Sequence, residues 1–375
     1  MNGGRTAGAS GDPEPGVLVV WSGATPCLMP FRVGAKGLTI GRELLGSTGT
    51  DDRISRRHVK VTYSGGRFAV TDLGSRNGTY AGGQAIVDRE ITVTAPCVLR
   101  AGRTVGVIVD DVTRYEGHAV VVEPDRVMGP SSAPVYARAA AAGAVGRHVA
   151  IVGEPGCGKR LVAAAYLRVR AGGQVLIQGG TPVIPDALPR GTTSVLIEQP
   201  QLLPVPAQVA LLKLIGRRRE LGVVSLAPEH PDLWRELDGP LVAALAAEVI
   251  DVPPLRSRFD EVGYLVAMTV RAVAPTLAVH STLIEEALLR PWPGNLRELR
   301  GAVTRTATAL AGAGKTELRS DDLESEAGHL AAGQPTVNHG VQSTMKEGQL
   351  ALGTTDPSAA ASGGKRKRPG KTQME

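Results

Sequence analysis

Two groups of residues in this chain are of the types that hold phosphate. In "GEPGCGKR", Gly153, Glu154, Pro155, Gly156, Cys157, Gly158, Lys159 and Arg160 follow one another. Glycines at this spacing let backbone N–H groups turn inward around a phosphate, and a following helix adds its positive end. The lysine then reaches the β- and γ-phosphates. The residue after such a lysine is usually a Ser or Thr that binds Mg²⁺, and here it is Arg160. Further along, the apolar run "SVLIEQP" ends in Glu198 and Gln199. Two acids at such a position would hold a metal and polarise an attacking water. Glu198 can still favour a metal, but an amide cannot act as a carboxylate base, a loss of roughly 10²–10⁴-fold in rate.

The second group lies upstream. Arg42 follows a glycine in "TIGR", Ser55 and Arg56 stand in "DRISRRHVKV", and Ser75, Arg76 and Asn77 stand in "GSRNGT". A phosphate dianion is best held by charge-assisted donors on rigid turns, and arginines beside hydroxyls supply them. Asn-Gly favours a tight turn with positive φ. The Asn77 amide is then free to hold the backbone of an extended peptide.

Different elements must position the two groups. Residues 16–123 read as short strands broken by glycine-rich turns: "VLVVW", "LTIGR", "HVKVTY", "RFAVTDL" and "ITVTAPCVLR", with a Gly-Gly hairpin in "YSGGRF". That spacing predicts an all-β sandwich. Residues 124–146 read as a linker followed by a first, Ala-rich helix. In residues 147–251 the apolar runs "HVAIVG", "QVLIQG", "SVLIEQ" and "LGVVSLA" alternate with helical stretches, which predicts an α/β domain with a parallel sheet. Residues 252–326 read as helical throughout, a small α-helical lid. Residues 1–15 and 327–375 have the composition of disordered segments.

Bulk properties narrow the classes. The chain has 375 residues and is 42% apolar, enough for two or three domains with real cores. The net charge of +6 is mostly a tail property, because five of 42 basic residues but one of 36 acidic residues fall in the last eleven. A folded nucleic-acid-binding domain is therefore not indicated. The tail run "GKRKRPGK" is either a solvated charge run or a non-specific phosphate contact with strong salt dependence. There is no run of 18 apolar residues and no signal-peptide core, so no membrane is expected. Three scattered cysteines point to a reducing cytoplasm without a disulfide framework.

The three upstream blocks, Gly-Arg, Ser-Arg-x-His and Ser-x-Asn-Gly-Thr, resemble the forkhead-associated (FHA) domain over about residues 16–115. The resemblance implies that Arg42, Ser55, Arg56, Ser75, Arg76 and Asn77 form a phosphothreonine site, with His58 and Gly78 shaping the loops. An FHA fold that binds its partner without phosphate is the alternative. "GEPGCGKR", "DVPPLRSRFDEV" and "RPWPGNLRELR" resemble the sigma-54 interaction domain, the AAA+ module of bacterial enhancer-binding proteins, over roughly residues 130–324. The glycine loop is then its P-loop, "TTSVLIEQPQLLPVPAQVALLKLI" its Walker B strand and following helix, and Arg297 its sensor II arginine on the nucleotide phosphates. Asn295 with Glu298 three residues on reads as a capping box for the helix that carries Arg297.

The departures from that family are as informative. Walker B reads Glu198-Gln199 where the family has Asp-Glu. Only "GGTPVIPDALPRG" separates it from the preceding strand, so the family's sigma-gripping loop is absent. "GPLVAALAA" lacks the arginine fingers, although Arg235 lies just upstream; such a finger is worth ~10³–10⁵ in rate in phosphoryl transfer. The sensor I region "VVSLAPEH" has no Asn, and no two-helix DNA-binding pattern follows the lid, so sequence-specific DNA binding is not expected.

Three functions remain open. One is an adaptor that binds a phosphothreonine protein, a Ser/Thr kinase or its substrate, and holds ATP or ADP, with or without Mg²⁺, as a pseudo-ATPase. The second is an active sigma-54 activator working with other AAA+ subunits and RNA polymerase components. The third is a scaffold that binds no nucleotide.

Overall fold

The alternation in "HVKVTY" and "RFAVTD" buries Val59, Val61, Phe68 and Val70 on one face. The two runs pair antiparallel across Gly65 and Gly66, both at positive φ (57° and 78°), which glycine adopts without strain. The computed structural model describes residues 13–86, 90–180, 188–228 and 230–329. Residues 1–12 of the expected disordered lead-in (1–15), residues 181–187 of the segment between the "QVLIQ" and "SVLIEQ" runs and the basic tail lie outside the described residues. The end of that lead-in is ordered, because its backbone pairs with the sandwich, the Glu14 and Pro15 carbonyls accepting the Val112 and Val33 N–H groups (2.8 Å each).

The first domain is a β-sandwich. Its elements are β1 (Gly16–Ser22), β2 (Thr25–Arg32), β3 (Leu38–Ile40), the short α1 (Arg42–Leu45), β4 (Val59–Ser64), β5 (Arg67–Asp72), β6 (Thr79–Ala81), β7 (Gln84–Ile86), β8 (Glu90–Val93), β9 (Cys97–Ala101) and β10 (Thr104–Val109). One sheet has the order β2-β1-β10-β9-β6-β7 and the other β3-β4-β5-β8, all antiparallel. Val17, Val19, Leu99 and Ile108 meet Val59, Val61, Phe68 and Val70 between the sheets.

A hairpin of β11 (Val121–Val122) and β12 (Val127–Met128) leads to α2 (Ala133–Ala144). This segment, expected to begin as a linker, is not a free tether. Val127 is buried, the Gly129 N–H donates to Glu261 Oε1 (3.0 Å) and the Ser131 N–H to Asp260 Oδ2 (3.0 Å).

The α/β domain comprises β13 (Val149–Val152), α3 (Lys159–Arg168), β14 (Gly173–Gln178), β15 (Thr192–Glu198), α4 (Val205–Arg217), β16 (Gly222–Ala227), α5 (Gly239–Leu245) and β17 (Glu248–Asp251). Its sheet is wholly parallel, in the order β14-β15-β16-β13-β17. Alternate strand residues face α2 and α3 on one side (Val149, Ile151, Val224) and α4 and α5 on the other (Ala150, Val195, Val223).

The lid consists of α6 (Phe259–Val273), α7 (Ser281–Leu289) and α8 (Asn295–Gly312). It is not helical throughout: β18 (Ala278–Val279) and β19 (Glu317–Leu318) form a short parallel pair, where paired backbone replaces helix between α6 and α7. The lid shares a core with the sandwich. Leu18, Val20, Val105 and Val107 lie in one buried cluster with Val262, Leu265, Leu283 and Ile284. At Gly263 a Cβ would lie 3.0 Å from the Val20 carbonyl oxygen, so α6 rests directly on β1. The side chains of Arg100 and Glu285 form an ion pair across this contact, 12% and 9% exposed.

Candidate functional site

The upstream residues meet at one end of the sandwich, on the β3–β4 and β5–β6 loops. The chain crosses itself closely there. A Cβ on Gly41 would lie 2.2 Å from the Arg56 carbonyl oxygen, so only glycine fits before Arg42. Buried His58 ties the two loops together. It accepts the Ser55 N–H at Nδ1 (3.0 Å), so the proton sits on Nε2 and is donated to the Gly78 carbonyl (3.0 Å). The Arg76 N–H reaches Ser55 Oγ (3.4 Å), and Asn77 Nδ2 donates to the Arg53 carbonyl. Arg42 Nη2 donates to the carbonyls of Ile54 (2.9 Å) and Asp52 (3.2 Å), which fixes its head.

Arg42, Arg56, Arg76 and Asn77 are all exposed, and Ser55 is half-buried. The six residues predicted from sequence are thus brought together, with one refinement. The Ser75 hydroxyl donates to Asp72 Oδ2 (2.6 Å) and the Ser75 N–H to Asp72 Oδ1 (2.8 Å). Its single O–H is engaged, so Ser75 holds the turn and offers no donor to a phosphate. Sequence reasoning missed Asp72 and Asp51. Burial opposes the charged form of Asp72, but donors from Ser75 and Thr79 outweigh it and hold the carboxyl below its usual range. Buried Asp51 accepts from the Arg53 N–H (2.7 Å), the Arg103 N–H (2.8 Å) and Thr104 Oγ1 (2.9 Å). An Asp opening the "DLGSRNG" turn is the signal that could have found Asp72; Asp51, whose partners Arg103 and Thr104 lie far along the chain, carries no such local signal.

In the α/β domain, the glycine loop runs from β13 into α3. Gly153 has φ 149° and Gly156 φ 76°; a Cβ on Gly156 would lie 2.1 Å from the Gly294 carbonyl oxygen. The loop therefore packs backbone to backbone against the turn before α8. Asn295, fully buried, sits between them: Oδ1 accepts the Leu255 N–H (2.7 Å) and Nδ2 donates to Glu154 Oε2 (3.0 Å) and the Pro155 carbonyl (3.1 Å). The predicted capping box is corrected. Asn295 has φ 53° and makes no cap, because its amide is engaged by the loop. Glu298 instead accepts the Gly294 N–H (2.7 Å) and the Gly328 N–H (2.8 Å). Arg297 is exposed on the first turn of α8, with its Cβ 3.2 Å from the position of a Cβ on Gly156.

The charged residues of this loop are engaged with one another. Lys159 Nζ donates to the carbonyls of Gly153 (2.6 Å) and Glu154 (2.9 Å), and burial pushes its ammonium down from its ordinary value. Glu154 pairs with Arg256 through both oxygens (2.5 and 2.8 Å). Arg258, 1% exposed, pairs with buried Glu261 and donates to the Cys157 carbonyl (3.1 Å). Sequence reasoning gave Arg256 and Arg258 no role, although both lie in "DVPPLRSRF". Burial raises the Cys157 thiol, so it is not poised as a nucleophile.

Arg160 and Glu198 form a fork: Nη2 to Oε2 at 2.6 Å and Nε to Oε1 at 2.5 Å. Donation from Arg160 is the main cause of the lowered Glu198 carboxyl, and Gln178 Nε2 adds a further bond (3.1 Å). Gln199 leaves the strand at φ 54°, its N–H on the Leu226 carbonyl (2.9 Å) and its side chain exposed. Glycines, lysine and Arg297 fit a nucleotide's phosphates. They do not fit a magnesium ion, which demands near-octahedral oxygen ligands at about 2.0–2.1 Å. A guanidinium stands where a hydroxyl ligand would, and Glu198, the expected ligand, accepts donors at both oxygens. Among the described residues no group of three or more His, Cys, Asp or Glu side chains could hold a metal. Among them, too, no helix is long and apolar enough to cross a membrane.

Comparison with known proteins gives three findings. The FHA domain family model matches residues 38–105. The regulatory protein LuxO of Vibrio cholerae is 28% identical over 189 residues, 44% of this chain and 33% of LuxO, so the chain spans about a third of that curated relative's length. Among solved structures, NtrX from Brucella abortus in complex with ADP has TM-score 0.49 and 18% identity, covering 57% of this chain and 58% of that one. The FHA domain of CT664 from Chlamydia trachomatis has TM-score 0.22 and 25% identity, covering 25% of this chain and 97% of that one.

Proposed function

We propose that this chain, an FHA domain joined to a sigma-54-type AAA+ domain, is a regulatory adaptor. The sandwich docks on a phosphothreonine-containing protein, a Ser/Thr kinase or the substrate of one, and the AAA+ domain holds ATP or ADP without efficient hydrolysis. The observation that carries this reading is the arrangement of Arg42, Ser55, Arg56, Arg76 and Asn77 on two loops locked by His58 and Asp72. Positive heads stay exposed while their backbones are fixed, so a phosphate dianion meets donors that need little reordering.

Arg42 and Arg56 supply charge, Ser55 Oγ a short donor, and Asn77 the contact to peptide backbone. In the second domain, Gly153, Gly156, Gly158 and Lys159 cradle the phosphates and Arg297 closes over them from the lid. Gln199 provides no base to activate water.

Fluorescence anisotropy with a phosphothreonine peptide library, on the full chain, tests the docking claim. Selected peptides are expected to bind only when phosphorylated, and equal binding of their unphosphorylated forms overturns it. A second reading, an ATP-driven transcription activator, is favoured by the "GEPGCGKR" and "WPGNLREL" blocks, with LuxO, a regulatory protein, as a relative. Lysine-dependent ATP turnover would distinguish it from the adaptor.

A further inference from the structure

We propose that nucleotide binding at the Gly153–Arg160 loop is independent of magnesium, because the Arg160 guanidinium occupies the metal's place and Glu198 holds it there. This rests on the reading above that the loop binds a nucleotide. Arg160 directly follows Lys159 in the first turn of α3, and Glu198 is the last residue of β15. These are the positions from which a hydroxyl and a carboxylate would flank the metal.

The pair meets there as a two-bond fork, at 2.6 and 2.5 Å. The Glu198 side chain is 12% exposed and that of Arg160 is 74% exposed, so the carboxylate is the anchor and the guanidinium faces the opening. Nε and Nη2 are engaged, which leaves Nη1 for a phosphate oxygen. Gln178 on the neighbouring strand donates to the same carboxylate and fixes it further. To ligate a metal, Glu198 would have to shed Arg160 and bring a second cation beside an arginine that is always charged.

Charge complementarity points the same way. A metal-free nucleoside di- or triphosphate is more negative than its magnesium complex. Lys159, Arg160 and Arg297 supply the positive charge that the metal would bring. The ligand class is therefore the uncomplexed nucleoside phosphate. The Lewis-acid contribution of a metal to phosphoryl transfer is not provided at this place.

The test is a titration of the full chain with a fluorescent N-methylanthraniloyl ATP analogue, in excess Mg²⁺ and in excess EDTA, repeated with Arg160→Thr. The expected result is a Kd that agrees within about threefold between the two conditions. Arg160→Thr weakens binding in EDTA by about tenfold or more, and Mg²⁺ restores part of the loss. Arg160 is mostly exposed, so the variant keeps its fold, as a melting curve verifies. Binding by the unmodified chain that weakens more than about tenfold in EDTA overturns the inference. So does saturable binding that Arg160→Thr leaves unchanged in both conditions. No binding under any condition overturns instead the nucleotide reading on which the inference rests.

Discussion

The two phosphate-directed regions handle their positive charges in opposite ways. At the end of the sandwich, buried Asp51, half-buried Asp72 and buried His58 hold backbone, while Arg42, Arg56 and Arg76 are exposed. At the glycine loop and the residues packed on it, four cations are already partnered: Lys159 by its own loop carbonyls, Arg160 by Glu198, Arg256 by Glu154 and Arg258 by Glu261. On the reading proposed above, the first arrangement meets a dianion with little reordering. On that reading, Lys159 of the second must leave two carbonyls to meet a phosphate. The same residue types are thus exposed in one place and largely paired within the fold in the other.

Substitutions can break or sharpen this contrast. The largest effect is expected at Arg258, whose ion pair with Glu261 is wholly buried and tied to the glycine loop through Cys157. Arg258→Ala leaves an uncompensated buried charge and should cost about 3–5 kcal/mol in chemical denaturation. A loss under about 1 kcal/mol would mean that this pair does not hold the loop to the lid. Next, Arg42→Ala should lower phosphothreonine-peptide affinity by about 1.5–3 kcal/mol, the scale of a hydrogen bond to a charged group, with little change in melting. Affinity that survives intact would remove Arg42 from the reader.

Asp72→Ala frees the Ser75 turn and should cost about 1–3 kcal/mol of stability. Because its folded carboxyl lies below the unfolded value, the Asp72 contribution is complete above the ordinary Asp range and fades as pH falls through the folded value. The variant should therefore lose that part of the acid dependence, read by melting between neutral and acidic pH. Arg160→Ala is expected to move stability by no more than about 0.5 kcal/mol, since an exposed ion pair contributes little. A large loss there would make the Arg160–Glu198 fork a structural strut rather than a ligand site.

Much of this was legible in the sequence where the signal is local. The Gly65-Gly66 turn, the three FHA blocks and the glycine loop declare themselves within a few residues. The alternating run of β4 correctly marks a strand with one covered face. The runs in β1 and β10 are apolar at nearly every position, and both strands are buried on both faces. That continuous pattern, unusual for an antiparallel sandwich strand, was the available sign that the lid covers the outer face of the sheet.

Pairings that depend on tertiary placement were not legible. Arg160 meets Glu198 across 38 residues, Asn295 meets Glu154 across 141, and Arg258 meets the Cys157 carbonyl across 101. Asn295 shows why: its type and its spacing to Glu298 suit a cap, but the approaching loop claims its amide first.

The central claim is that the Gly153–Arg160 loop holds a nucleotide it does not turn over, and measuring binding and hydrolysis on one preparation of the full chain tests it most directly. The expected result is saturable binding of the fluorescent ATP analogue, lost in Lys159→Ala, with ATP hydrolysis no faster than in that variant. Steady-state turnover that disappears on Lys159→Ala would contradict the account.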